Sequence, residues 1–140
     1  MKADEAVAAP LKVNVFWKEA YDVVELFRIV PSVGWQGGPG DDMTPFGEFE
    51  CVVGAPLAEV KSLLSQASLF VGNDSGPAHI AAAFNVPLAV LFGRTEHQIT
   101  WAPWKATAAR TLVDPRGITA IAAGQVINAV DELLRPDAAR

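Results

Sequence analysis

Leu69-Phe70-Val71-Gly72-Asn73-Asp74-Ser75-Gly76-Pro77-Ala78-His79 carries an apolar strand into a polar turn and straight on into a helix. The strand reading covers Ser68 to Val71 and ends at Gly72, and the Ala-rich run from Gly76 to Phe84 is helical. Pro77 sits near the first turn of that helix, where a missing N–H removes no helical hydrogen bond. A strand-to-helix junction leaves backbone N–H groups and the positive helix end at the carboxyl edge of a parallel sheet, where α/β proteins bind ligands. The turn is therefore read as an anion cradle. In this reading Ser75 or Asp74 caps the helix, Gly76 admits close backbone approach, and His79 lies one turn in with its ring facing the same crevice.

Asp, Ser and Gly before a helix are also ordinary capping residues, and a helical histidine is commonly packed or solvated. The second strand end, Leu91-Phe92-Gly93-Arg94-Thr95-Glu96, favours the functional reading because it is another apolar strand running into a Gly turn with polar residues. Two adjacent strand ends then face one cleft.

Outward from this centre the chain alternates. Leu11 to Trp17 reads as a strand, Lys18 to Val30 as a helix stopped by Pro31, Ser32 to Gln36 as a strand, and Gly37 to Asp42 as a loop. Phe49 to Val53 is a further strand, and Leu57 to Gln66 places Leu57, Val60, Leu63 and Leu64 at helical spacing. Pro87 to Phe92 is a continuous apolar strand of the kind buried inside parallel sheets. Arg94 to Thr107, with Trp101, Pro103 and Trp104, reads as a loop, followed by a strand near Thr111 to Val113 and an amphipathic helix from Gln125 to Leu134. Alternating strands and helices predict a doubly wound α/β parallel sheet.

Composition sets the outer bounds. A 140-residue chain, 51% hydrophobic and 19% charged, suits one globular domain. Eleven Lys and Arg against sixteen Asp and Glu give a net charge of -5, which argues against nucleic acid as a partner. Cys51 is the single cysteine, so no intramolecular disulfide forms, and it reads as a packed thiol. Met1 to Pro10 lacks the apolar stretch of a signal sequence and no run reaches the ~18 residues needed to cross a bilayer, so a cytoplasmic protein with at most peripheral membrane contact is expected. Trp17, Trp35, Trp101 and Trp104 are candidates to cover a cleft or mediate self-association, with buried packing expected for at least two.

Asn-Asp-Ser-Gly-Pro superficially matches the surroundings of the chymotrypsin-type nucleophile. Both histidines, His79 and His97, follow Ser75 here, an Ala-rich helix comes next, and the Gly-x-Ser-x-Gly elbow of α/β hydrolases is absent, so a hydrolase is rejected.

Phe70 to Ala83, then Val86-Pro87, Leu91-Phe92-Gly93 and Trp101-Ala102-Pro103-Trp104, resemble glycosyltransferase family 9, which includes the heptosyltransferases of the lipopolysaccharide inner core. The resemblance runs from about residue 37 to 134, after a divergent start (1–36) and before a short tail (135–140). It implies one Rossmann-like domain spanning 1–140, the C-terminal half of a GT-B fold. Its donor would be an ADP-sugar, ADP-heptose above all, with the acceptor, a glycolipid or saccharide, held by an N-terminal domain across the cleft.

Carried over by position, the resemblance assigns donor contacts to Asp74, Ser75, Gly76, Pro77, His79 and Gly93, with His79 also stabilising the leaving phosphate as the catalytic residue. Asp41 and Asp42, in the loop after a sheet strand, would meet the ribose. It implies transfer without a metal or other cofactor, in the cytoplasm or at the inner face of the inner membrane, with self-association left open. The family's catalytic base belongs to the N-terminal half, so this chain is not expected to contain it. The family's phosphate-binding loop is not recognisable near Leu11 to Glu19, where Lys12 and Lys18 are the basic residues at hand. The competing reading is a catalytically inactive, truncated nucleotide-binding or interaction module.

Overall fold

A computed structural model describes residues 13–16, 33–37, 50–104, 106 and 108–135, with 13–16, 33–37 and 50–53 described as strand backbone. The strands are β1 (Val13–Phe16), β2 (Val33–Gly37), β3 (Glu50–Val53), β4 (Leu69–Asn73), β5 (Leu88–Phe92) and β6 (Ala109–Val113). The helices are α1 (Leu57–Ser65), α2 (Gly76–Ala83), α3 (Thr95–Trp101) and α4 (Ala123–Leu134), with a 3-10 turn at Ile118–Ala120. The expected helix over Lys18 to Val30 and the loop residues Asp41 and Asp42 lie outside the described residues.

All five strand pairings are parallel and the six strands stand in the order β3-β2-β1-β4-β5-β6. The chain builds outward from β1 to β3, then returns to the other side of β1 and builds outward again to β6. The two directions part between β1 and β4, and a doubly wound sheet opens its crevice at that reversal, beyond the carboxyl ends of the strands. The expected doubly wound α/β fold is present.

Burial explains why these segments fold so. Leu69, Phe70 and Val71 of β4 and every residue of β5 are buried, as strands covered on both faces must be. Phe70, Leu88, Val90 and Phe92 share one apolar cluster with Leu64 of α1, Ala78, Ala81 and Ala82 of α2, and Val86. Ala89 and Leu91 alternate to the opposite face, and α4, whose Val126, Ala129, Val130 and Leu133 are buried, packs on β5 and β6. The small side chains of α2 let it lie close on the sheet, which fixes its first turn at the sheet edge.

α2 ends in a Schellman arrangement. Asn85 takes a left-handed conformation at φ 57°, its N–H donates to the Ala82 carbonyl at 3.0 Å, and the Val86 N–H donates to the Ala81 carbonyl at 3.0 Å. Val86 is thereby turned into the core and the chain re-enters the sheet at Leu88.

The segment expected to be a loop from Arg94 contains helix α3. Ile99 and Trp101 on it are exposed, at 78% and 55%, so it has no buried apolar stripe for periodicity to detect. It is held instead by a polar tie, the Gln98 side-chain amide donating to the Thr111 hydroxyl of β6 at 2.9 Å. Trp104 is also exposed, at 78%, so neither described indole side chain has the buried role expected for at least two tryptophans. The Cys51 side chain is outside those described. No described helix is long and apolar enough to cross a membrane.

Candidate functional site

β4 and β5 end side by side. Asn73 stands opposite Leu91 in the parallel register, and the Asp74 N–H donates to the Leu91 carbonyl at 3.0 Å, so the turn leaving β4 is pinned to its neighbour. Register continued beyond the strands brings Ser75 level with Gly93. The two strand ends expected to face one cleft are neighbours in the sheet.

The helix start differs from the capping expected of it. Ser75 occupies the N-cap position in an extended conformation, yet neither its side chain nor that of Asp74 caps α2. The Ser75 hydroxyl donates backward, to the Asn73 carbonyl at 3.1 Å. A serine hydroxyl both donates and accepts, and here it donates, with the carbonyl at the end of β4 as acceptor. Pro77 has no N–H, and the Ala78 N–H already donates to the Ser75 carbonyl at 3.1 Å. The N–H groups of Ser75 and Gly76 thus remain without a hydrogen-bond partner among the described residues, at the positive end of the helix.

Gly76 is exposed, and a Cβ built there meets nothing within 4 Å. The fold itself therefore does not require glycine at this position. Gly93 is likewise exposed with free space around it. Asp74, Ser75 and Pro77 are partly buried, and His79 is exposed one turn into α2. The structure gathers Asp74, Ser75, Gly76, Pro77 and Gly93 at one sheet edge, with His79 on the adjoining turn.

Asn73, absent from the expected set, holds a buried side-chain oxygen without a hydrogen-bond partner. Such an acceptor carries a desolvation cost of about 1–3 kcal/mol. Its signal in the sequence was weak, because an Asn closing a strand before Asp-Ser-Gly reads as turn chemistry.

Two ion pairs stand elsewhere among the described residues. Arg110 on β6 pairs with Glu132 on α4 at 2.8 Å, and Arg116 pairs with Asp114 at 2.8 Å. The guanidinium and backbone N–H of Arg116 lower the Asp114 carboxyl to about 2. No group of three or more His, Cys, Asp or Glu suited to hold a metal occurs among the described residues.

Residues 52–119 match the model of glycosyltransferase family 9 (heptosyltransferase). Lipopolysaccharide heptosyltransferase 3 of Escherichia coli is 59% identical over 46 residues, 33% of this chain and 13% of that protein. The crystal structure of a family 9 glycosyl transferase from Veillonella parvula overlays 94% of this chain and 49% of its own at a TM-score of 0.77 and 20% identity. E. coli ADP-heptose lipopolysaccharide heptosyltransferase II overlays 94% and 49%, with a TM-score of 0.70 and 19% identity. At that identity the overlays show the fold, a Rossmann-like half of a GT-B architecture. The chain spans about half the length of these solved relatives.

Proposed function

Since residues 52–119 are those of a heptosyltransferase-like protein of glycosyltransferase family 9, we propose that this chain binds an ADP-sugar, ADP-heptose by preference, as the C-terminal, donor-binding half of a transferase acting in lipopolysaccharide core or related glycan synthesis. The observation that carries the reading is the pair of N–H groups on Ser75 and Gly76, without a hydrogen-bond partner among the described residues, at the α2 start on the carboxyl edge of the sheet. A diphosphate oxygen meets both the donors and the helix dipole there.

In the reaction an acceptor hydroxyl oxygen bonds to the anomeric carbon, the bond from that carbon to the diphosphate oxygen breaks, and the hydroxyl proton passes to a base. ADP leaves with the bonding pair. This half contributes positioning and stabilisation of the charge growing on the diphosphate, through the Ser75 and Gly76 N–H groups and the His79 ring. Asp74, an acceptor of hydrogen bonds, suits the hydroxyls of the sugar. The base and the acceptor site belong to the other half of the fold.

Calorimetric titration of the chain with ADP, UDP, GDP and AMP tests the reading. ADP is expected to bind best and equally well in EDTA and in Mg2+, the protein groups meeting the diphosphate charge. Failure of every nucleoside diphosphate to bind overturns it. The second reading is a nucleotide-binding module without catalysis. ADP binding without turnover of ADP-heptose by the chain alone or with a complementary half would support it.

A further inference from the structure

We propose that Arg94 is the cation that receives the donor's diphosphate, and that it makes the site selective for a diphosphate over a monophosphate; this rests on the donor-binding reading above. The helix start alone is too poor in donors for that ligand. Pro77 has no N–H, the Ala78 N–H is spent on the Ser75 carbonyl at 3.1 Å, and the Asp74 N–H on the Leu91 carbonyl at 3.0 Å. Two adjacent N–H groups can hold one phosphate oxygen each, whereas a diphosphate brings more oxygens and more than one negative charge. The Asp74 carboxylate beside them adds repulsion, and the whole chain carries a net charge of -5.

Arg94 answers that deficit by position. It lies two residues past the end of β5, next to Gly93, and counting on two residues from the Asn73–Leu91 pair puts Gly93 in step with Ser75. Neighbouring strands lie about 4.8 Å apart, a gap an arginine side chain can span. Arg94 is exposed, and no hydrogen bond or ion pair engages its guanidinium among the described residues, while Arg110 and Arg116 are both paired with carboxylates. Glu96, two residues on, forms no ion pair with it among the described residues. Its backbone is nonetheless held, because its carbonyl accepts from the Gln98 N–H at 3.2 Å and the Gln98 side chain is tied to Thr111 at 2.9 Å. A free, forked cation on an anchored backbone beside two open N–H groups is suited to grip adjoining phosphates in bidentate fashion.

The test is calorimetry with ADP and AMP on the unmodified chain, Arg94→Gln, Arg94→Lys and, as a control that removes the same charge from an arginine already paired with a carboxylate, Arg116→Gln. Arg94→Gln should lose about tenfold to a hundredfold in ADP affinity, the range of a charge-assisted hydrogen bond, with a much smaller loss for AMP. Arg94→Lys should recover part of the ADP affinity, and Arg116→Gln should retain it. Melting temperatures should match throughout the Arg94 series, since no hydrogen bond or ion pair engages the side chain among the described residues. If the unmodified chain binds ADP and Arg94→Gln binds it equally well, or loses ADP and AMP alike, the assignment to Arg94 fails while the donor-binding reading stands. If the unmodified chain binds no nucleoside diphosphate, both fall.

Discussion

The Ser75 hydroxyl donates to the Asn73 carbonyl oxygen at 3.1 Å, so the residue at the N-cap position of α2 braces the end of β4 instead of the helix. Ser75→Ala should therefore cost about 0.5–1.5 kcal/mol, the net worth of one hydrogen bond, and leave nucleotide affinity nearly intact because the Ser75 N–H survives. Urea denaturation and ADP titration of the variant check the two halves of this expectation. A large loss of affinity would assign the hydroxyl itself to the ligand.

At Gly76 the structure separates folding from binding. A Cβ there meets nothing within 4 Å, so Gly76→Val should fold and melt close to the unmodified chain. The branched side chain would occupy the approach to the N–H, and ADP affinity should drop at least about tenfold, the equivalent of ~1.4 kcal/mol. Unchanged affinity would mean that the ligand does not approach from this side.

His79 is exposed one turn into α2, near the proposed diphosphate but outside the buried cluster. An imidazole N–H there can donate to a phosphate oxygen, so His79→Ala should stay folded and lose up to about tenfold in ADP affinity, the worth of one hydrogen bond. Calorimetry that finds equal affinity would leave the anion to the helix terminus and Arg94.

Asn85 supplies the left-handed residue that ends α2, at φ 57°. Asn85→Gly should be neutral or slightly stabilising, whereas Asn85→Val should destabilise by about 1–2 kcal/mol, the cost of that conformation for a residue with a constrained Cβ. Thermal melts of the pair decide it, and equal stabilities would count against the cap.

Asp114-Pro115-Arg116-Gly117 forms a turn in which Arg116 donates to Asp114 from its backbone N–H at 2.9 Å, from Nε at 3.0 Å and from Nη2 at 2.8 Å. These bonds lower the Asp114 carboxyl from 3.8 to about 2. A lowered folded-state value means that the stabilisation is complete above the unfolded value and is lost as pH falls from there through about 2. In Arg116→Ala, carboxyl-detected NMR should find Asp114 titrating closer to 3.8, its ordinary value. A titration that stays near 2 would assign the shift to the backbone N–H alone.

The parts of the fold written in local burial were legible. β5 is apolar throughout because both its faces are covered, and the Phe70-to-Ala82 run reads as strand, turn and helix because Pro77, Gly76 and the alanines have few other places to go. The strand order was not legible, since it depends on where each connection crosses the sheet, a property of no single segment. α3 escaped because Ile99 and Trp101 face outward, leaving its anchor to Gln98 and Thr111, two polar residues thirteen positions apart. At the site, the turn and its neighbouring strand end were readable from Asp74 to Gly76 and Gly93. The direction of the Ser75 hydroxyl was not, because its hydrogen-bonding choice depends on which carbonyl the strand end leaves unpaired. Arg94 drew no attention as a single cation in a polar stretch; its meaning comes from the register that sets Gly93 level with Ser75.

The place of β1 in the sheet has a consequence for how the chain is made. β1 is the first of the described strands, yet it is an inner strand, bonded to β2 on one side and to β4 on the other. A nascent chain that has emerged only as far as α1 can pair β1 on one side alone, and its other edge stays open to any extended peptide nearby, the usual hazard of an unprotected strand. That edge is closed when Leu69–Asn73 leaves the ribosome, and the next residues out are Asp74, Ser75 and Gly76. Synthesis thus seals the sheet and delivers its ligand-facing turn in one continuous stretch of translation.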